Sequence, residues 1–444
     1  MYPKLSNSKL SNSKLPNSKL PKIGIYAGSG TSHSWLWFVD LFETAGLYHL
    51  FFLNEQDVRQ GGLYGLDVLV VSGGDTFAVA AALGRSGALA IERFVGDKGT
   101  YIGSCAGAYL PMKSSKEPLD LFNFVDVKIT NLSKILPEMK IETCKFSTAY
   151  GCDFIFHPVR ESVRLRRINV VNQKNWQEGR QKDRPGISRE FDAPLYGGPG
   201  MVPQNPSWTL AEYAGFTNKT LFLTDHEIAT KTLIGHGAVI RVPYKRGCFY
   251  LLGPHLEHPG YPKANQFIVD AVVAETRSAD NNGSLSYRPS DERDEDPWQT
   301  VTGKKAKALL LPVRRELSNS RITAGSLEFL PVQWLIGRKV YEPQKIRVFL
   351  ESLWQRLKRL EKEKMLKVSP EHYERIVQTA TGLTRDLRRM KRRVDRKEES
   401  LNTAVTVFKQ LHKLSISFFE FYFETMFTNR REECIAEKKN KENV

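Results

Sequence analysis

Four short apolar runs open the ordered part of this chain, and each stops at a small or turn-forming residue. They are KIGIYAG (22–28), YHLFFLN (48–54), LDVLVVSGG (66–74) and GTYIGSC (99–105). Longer segments with helical patterning lie between them, such as SWLWFVDLFETAG and TFAVAAALGRSGALAIERFVGDKG. Strands that are apolar at every position must be buried on both faces. Alternation with helices therefore predicts a mostly parallel sheet covered by helices on each side. Ligands of such sheets bind beyond the carboxyl ends of the strands. GSG (28–30), SGGD (72–75) and GSCAG (103–107) are thus expected on one rim.

The flanking regions differ in kind. Residues 4–22 repeat Lys-Leu-Ser/Pro-Asn-Ser without an acidic residue. Such a segment cannot bury enough surface to offset its ordering entropy, and 1–21 reads as a disordered tail. A basic, Ser-rich, acid-free start is also a transit-peptide feature, but arginines are missing. Region 110–235 shows only short candidate strands. Strand signals return at 220–227 and 237–259, where Pro-Tyr-Lys-Arg-Gly predicts a hairpin turn. A helix ending near 276 closes an α/β domain of residues 22–276. The polar, breaker-rich stretch that follows is read as a linker over 277–340.

Residues 341–430 read as a basic helical domain, followed by a frayed tail over 431–444. Ile346, Phe349, Leu350, Leu353, Leu357 and Leu360 recur at helical spacing and predict a bundle stripe. Most of the formal charge of +16 resides here: from Val301 onward there are 32 Lys/Arg and 18 Asp/Glu, a surplus of 14. The run RDLRRMKRRVDRK (385–397) would attract nucleic-acid phosphate backbones or an anionic membrane face, or be a solvated helix face. SFFEFYFETMF (417–427) is expected inside the bundle or against a protein partner or second copy. Five scattered cysteines without a CxxC pair indicate a reducing compartment. No apolar run approaches the ~18 residues of a membrane span, which makes the cytoplasm the expected location.

The chemistry concentrates at Gly103-Ser104-Cys105-Ala106-Gly107. A nucleophile on a sharp strand-to-helix turn needs small neighbours, and glycines stand two positions either side of Cys105. The following helix would favour the thiolate, and N–H groups near Gly73, Gly74 and Ala106 would form an oxyanion hole. His255 and Glu257 lie just past the last strand. An imidazole with a carboxylate to orient it is what a thiol nucleophile requires. His258 is the other available base, but its spacing to Glu257 is wrong. Asp75 is placed either in the substrate loop or as the cap of the next helix. Gly197 and Gly198, in YGGPG, suit a backbone lying close to a ligand. No metal-ligand spacing is present.

Gly-x-Cys-x-Gly followed far downstream by His-x-Glu resembles the class I glutamine amidotransferases. The branch most similar is the N-terminal domain of eukaryotic-type biotin–protein ligases, through IYAGSGTS (25–32), SGGDT (72–76), GSCAGAY (103–109), YGGPG (196–200) and GPHLE (253–257). The resemblance implies a flavodoxin-like α/β fold and a Cys105–His255–Glu257 triad. It implies attack on a C–N bond of a small-molecule substrate through a thioester, without a cofactor. Ala108-Tyr109 replaces the His or Gln pair that usually follows the elbow, and Leu256 stands where Pro is commoner. These departures also fit a catalytically inactive binding or regulatory module with a helical docking domain. Nothing after 300 resembles a biotin-transferring domain.

Overall fold

A computed structural model of the chain describes residues 20–132, 156–168, 189–281, 298–337 and 339–442. Most of the repeat tail, and residues 282–297 and 338 of the stretch read as linker, lie outside these residues. The first half alternates as expected: β1 (Ile23–Tyr26), α1 (Trp35–Thr44), β2 (Leu50–Leu53), α2 (Glu55–Arg59), β3 (Val68–Val71), α3 (Thr76–Gly96), β4 (Thr100–Ser104) and α4 (Ala106–Tyr109). β1 pairs in parallel with β2 and β3, and β3 with β4. Burial on both faces is visible within β3. Val68 and Val70 join one apolar cluster, while Leu69 and Val71 join the other.

Seven more strands complete the sheet: β5 (Val127–Ile129), β6 (Val159–Arg167), β7 (Glu190–Leu195), β8 (Met201–Pro203), β9 (Thr209–Phe222), β10 (Gly237–Tyr244) and β11 (Gly247–Leu252). α5 (His226–Leu233) precedes β10, and α6 (Pro262–Asn281) follows β11. The strand order is β2-β1-β3-β4-β11-β10-β9-β6-β7, with β8 on β10 and β5 on β8. β11 is parallel to β4, and every pairing beyond it is antiparallel. That antiparallel half falls where the sequence looked irregular. β6 reads VRESVRLRR, with exposed Glu161, Arg164 and Arg166 between buried Val159, Val163 and Leu165. Alternation of this kind marks a strand with one solvated face and lacks a continuous apolar run. The β10–β11 hairpin turns at Lys245-Arg246, with Lys245 at φ 51°.

Within the stretch read as linker, β12 (Gln299–Thr302) leads into a 25-residue helix, α7 (Gly303–Leu327). β13 (Trp334–Ile336) and β14 (Lys339–Tyr341) then form a small hairpin. Leu310, Val313 and Leu317 of α7 are buried. Their apolar spacing was masked by the Lys- and Arg-rich remainder of the helix. The chain continues through α8 (Pro343–Leu360), β15 (Met365–Val368), α9 (Pro370–Asp395) and α10 (Leu401–Glu442), so residues 431–442 continue a helix. β12 and β15 pair antiparallel.

The helical region covers one face of the sheet beside α1. The Trp35 ring meets Phe349 of α8 at 6.3 Å and Phe419 of α10 at 5.7 Å, and Phe52 of β2 meets Phe419 at 5.6 Å. The aromatic run at 417–427 is therefore core, with Phe418, Phe419, Tyr422 and Phe423 buried. One apolar cluster contains residues of both regions. Within it, buried Arg356 reaches Asp40 at 2.7 Å and Glu43 at 2.8 Å across the junction. In α9 the basic run keeps Leu387 and Met390 inward while Arg385, Arg388, Arg389 and Arg392 face solvent. No helix among the described residues is long and apolar enough to cross a membrane.

Candidate active site

The elbow is set by backbone geometry. Cys105 sits at φ 52°, ψ −106°, an unfavourable region for a side-chain-bearing residue. Its N–H donates to Leu252 O at 2.9 Å, so the turn is held by the neighbouring strand. A Cβ on Gly103 would lie 2.2 Å from Gly107 O, and one on Gly107 would lie 2.0 Å from Val71 O. Both glycines are required for the chain to double back at this distance. The helix that follows, α4, is a single turn. Its dipole is correspondingly small, contrary to the support expected from the sequence. Thiolate stabilisation comes instead from side chains.

Parallel pairing of β11 with β4 places Leu252 opposite Ser104, so the chain leaves β11 beside the elbow. His255 follows three residues later and is held by donation of its N–H to Pro194 O at 2.8 Å. The structure brings Cys105, His255 and Glu257 together. His255 Nδ1 lies 2.6 Å from Glu257 Oε1, and His255 lines one cavity with Cys105. Burial alone would push the imidazole down, but the Glu257 carboxylate and the Cys105 sulfur raise it to about 10. Burial likewise pushes the thiol up, and interaction with His255 and the Lys339 charge bring it below its ordinary value. Both shifts favour the charged forms, thiolate and imidazolium. His258 is not part of it: burial and the His255 charge push it down to about 4, and its Nδ1 accepts the Gly260 N–H.

Gly73 lies under the imidazole, where a Cβ would come 2.6 Å from His255 Cε1. Gly74 is pressed against Gly30 O, where a Cβ would lie 2.1 Å away. Among the described residues, the Gly74 N–H has no acceptor, while Asp75 N–H donates to Gly30 O. Ala106 N–H, in the first turn of α4, has no intrahelical acceptor by position. Gly74 and Ala106 both line the cavity with Cys105. Asp75 caps α3, accepting from Phe77 N at 3.1 Å and Ala78 N at 3.2 Å, while also lining the cavity. Gly197 lines the cavity at φ 137°, against the His157 ring. Gly198 does not line it. A Cβ there would lie 1.7 Å from Gly253 O, so its smallness serves backbone packing.

Four residues of the site escaped the sequence reading. Ser104 Oγ lies 3.0 Å from each Glu257 oxygen, a contact made by strand register that no local motif announces. Trp37 of α1 packs edge-on against His255 at 5.4 Å, and Tyr196 at 5.6 Å, walling the imidazole from solvent. Lys339 of β14, from within the stretch read as linker, lines the same cavity of about 1320 Å³.

No family model matches the chain, and no curated protein matches it either. Solved structures give only weak likenesses. A putative ThuA-like protein from Bacteroides uniformis is 12% identical at a TM-score of 0.33, over 58% of this chain and 93% of that one. A cytoplasmic protein from Salmonella typhimurium is 10% identical at 0.30, over 57% of this chain and 98% of that one. A β-galactosidase from Bacillus circulans is 12% identical at 0.29 over 60% of this chain, which spans only 32% of that enzyme. Likenesses of this strength carry no argument about the site.

Proposed function

We propose that the chain is a cysteine-dependent amidase or amidotransferase-like hydrolase, with Cys105 as nucleophile, His255 as acid and base, and Glu257 as its orienter. The observation that carries this reading is the strained Cys105 beside an imidazole whose far nitrogen is fixed at 2.6 Å from a fully buried carboxylate. The order of the parallel strands, 2-1-3-4-5 when β11 is counted fifth, supports a flavodoxin-like assignment and hence a site at the strand carboxyl ends.

In this mechanism the Cys105 thiolate attacks an amide carbonyl carbon, forming a C–S bond. The oxyanion is held by the Gly74 and Ala106 N–H groups. Collapse breaks the C–N bond, and the imidazolium of His255 gives its proton to the departing amine. The now neutral imidazole takes a proton from water, which attacks the thioester. The C–S bond breaks, the carboxylic product leaves, and the thiolate–imidazolium pair is restored. Glu257 keeps the same tautomer throughout and does not itself take the proton.

The test is covalent trapping. An electrophilic glutamine analogue should add to Cys105 in the intact chain, with the adduct located by peptide mass. Cys105→Ala should abolish the adduct and any amidase turnover, and His255→Asn should slow it by about 10²-fold or more. A thiol that reacts no faster than a free cysteine at neutral pH would sink this reading.

A further inference from the structure

Two of the cations that line the cavity with the thiol have no carboxylate in hydrogen-bond or ion-pair contact among the described residues. Arg160 comes from β6 and Lys339 from β14, and both line the cavity with Cys105 and His255. Among the described residues neither makes a hydrogen bond or ion pair with a carboxylate. The contrast within β6 is instructive. Arg164 lies 3.0 Å from Asp192, and Arg166 is paired with Glu212, although both project into solvent where pairing contributes little. Arg160, which lines the cavity and is partly buried, has no ion-pair partner among the described residues.

Among the described residues, the three carboxylates that line the cavity make their hydrogen bonds elsewhere, and only Asp75 also acts on Lys339 through its field. Asp75 caps α3, Asp126 holds Lys113 at 2.8 Å, and Glu342 accepts from Gln333 at 3.0 Å. A desolvated cation without a partner is costly to a fold and is kept where something else supplies the charge. The cavity, about 1320 Å³, also exceeds what one amide group would need.

Resting on the assignment of Cys105 as nucleophile, we propose that its substrate carries a second, anionic group, a carboxylate or a phosphate, bound between Arg160 and Lys339. The β13–β14 hairpin of the C-terminal region then completes the substrate site of the α/β region and selects for charge. Lys339 also lies in the field of the Cys105 sulfur, so it could act on the thiol alone; the experiment separates the two roles.

Cys105 in the full chain is alkylated with iodoacetate, which is anionic, and with iodoacetamide, which is neutral, and glutathione sets the reference ratio. An anion site raises the iodoacetate-to-iodoacetamide ratio roughly tenfold or more above glutathione. Arg160→Met and Lys339→Met each bring it back toward the reference. A Lys339 that serves only the thiol would slow both reagents equally in Lys339→Met and leave the ratio at the reference, which overturns the proposal. Protection of the wild-type thiol by glutarate or by inorganic phosphate, which needs no variant, tells a carboxylate source from a phosphate source, and protection by neither also counts against it. If Cys105 reacts with neither reagent, the nucleophile assignment fails. The anion site is then decided by calorimetry on Cys105→Ala: glutarate or phosphate binding that is lost in Arg160→Met supports it, and no binding overturns it.

Discussion

Ser104 and Glu257, 153 positions apart in the chain, meet with the serine hydroxyl 3.0 Å from both carboxylate oxygens. Both side chains are fully buried. The carboxylate thus has two supports, the imidazole and this hydroxyl. Ser104→Ala should cost about 1–3 kcal/mol of stability, read from denaturant unfolding, because it leaves part of a buried acceptor unsatisfied. It should also slow Cys105 alkylation, but by less than loss of Glu257 does. An unchanged rate would mean that Ser104 holds the fold and not the triad.

Glu257→Gln removes the charge that raises His255. The imidazole should then lose its proton at lower pH, and the Cys105 thiol should rise. The pH profile of Cys105 alkylation is expected to move upward by at least one unit. The stability consequence has a definite sign. His255 stands at about 10 in the folded chain against ~6.5 unfolded. Its contribution is therefore complete below about 6.5 and is lost as pH rises through about 10. The stability gap between wild type and Glu257→Gln should narrow from pH 7 toward pH 10. A gap constant over that range would contradict a charged His255.

Gly198 is expected to tolerate no side chain. An added Cβ would sit 1.7 Å from Gly253 O, a backbone atom that cannot swing away. Gly198→Ala should destabilise by about 1–3 kcal/mol or more and reduce Cys105 reactivity, because Gly253 is two residues from His255. Gly215, with open space around its Cβ position, is the control, and Gly215→Ala should unfold near the wild-type midpoint.

Arg356 ties the helical region to α1 through Asp40 and Glu43. Arg356→Leu should cost about 1–3 kcal/mol, since it leaves one oxygen of the buried Glu43 carboxylate without its partner while the other keeps Arg359 and Tyr422. An Arg356→Leu, Glu43→Leu double variant should recover part of that loss. Unfolding followed by Trp fluorescence and by circular dichroism should give one coincident transition in wild type. Two separated transitions would show that the regions fold independently.

Much of this chain was legible before any coordinates. The apolar runs at 23–26, 50–53, 68–71 and 100–104 are read from composition alone, because a strand buried on both faces has no polar position to spare. The Gly-Ser-Cys-Ala-Gly turn is equally local, since its glycines answer to steric demands within a few residues. Other features depend on where distant segments meet. The pairing of β4 with β11 sets Ser104 against Glu257 and separates His255 from His258 in role. The packing of α8 and α10 on α1 turns a basic tail into half of one core, and the β13–β14 hairpin carries Lys339 into the cavity. Local sequence fixes which backbone turns and buried strands are sterically possible. Register and long-range burial alone decide which charges share a low-dielectric space.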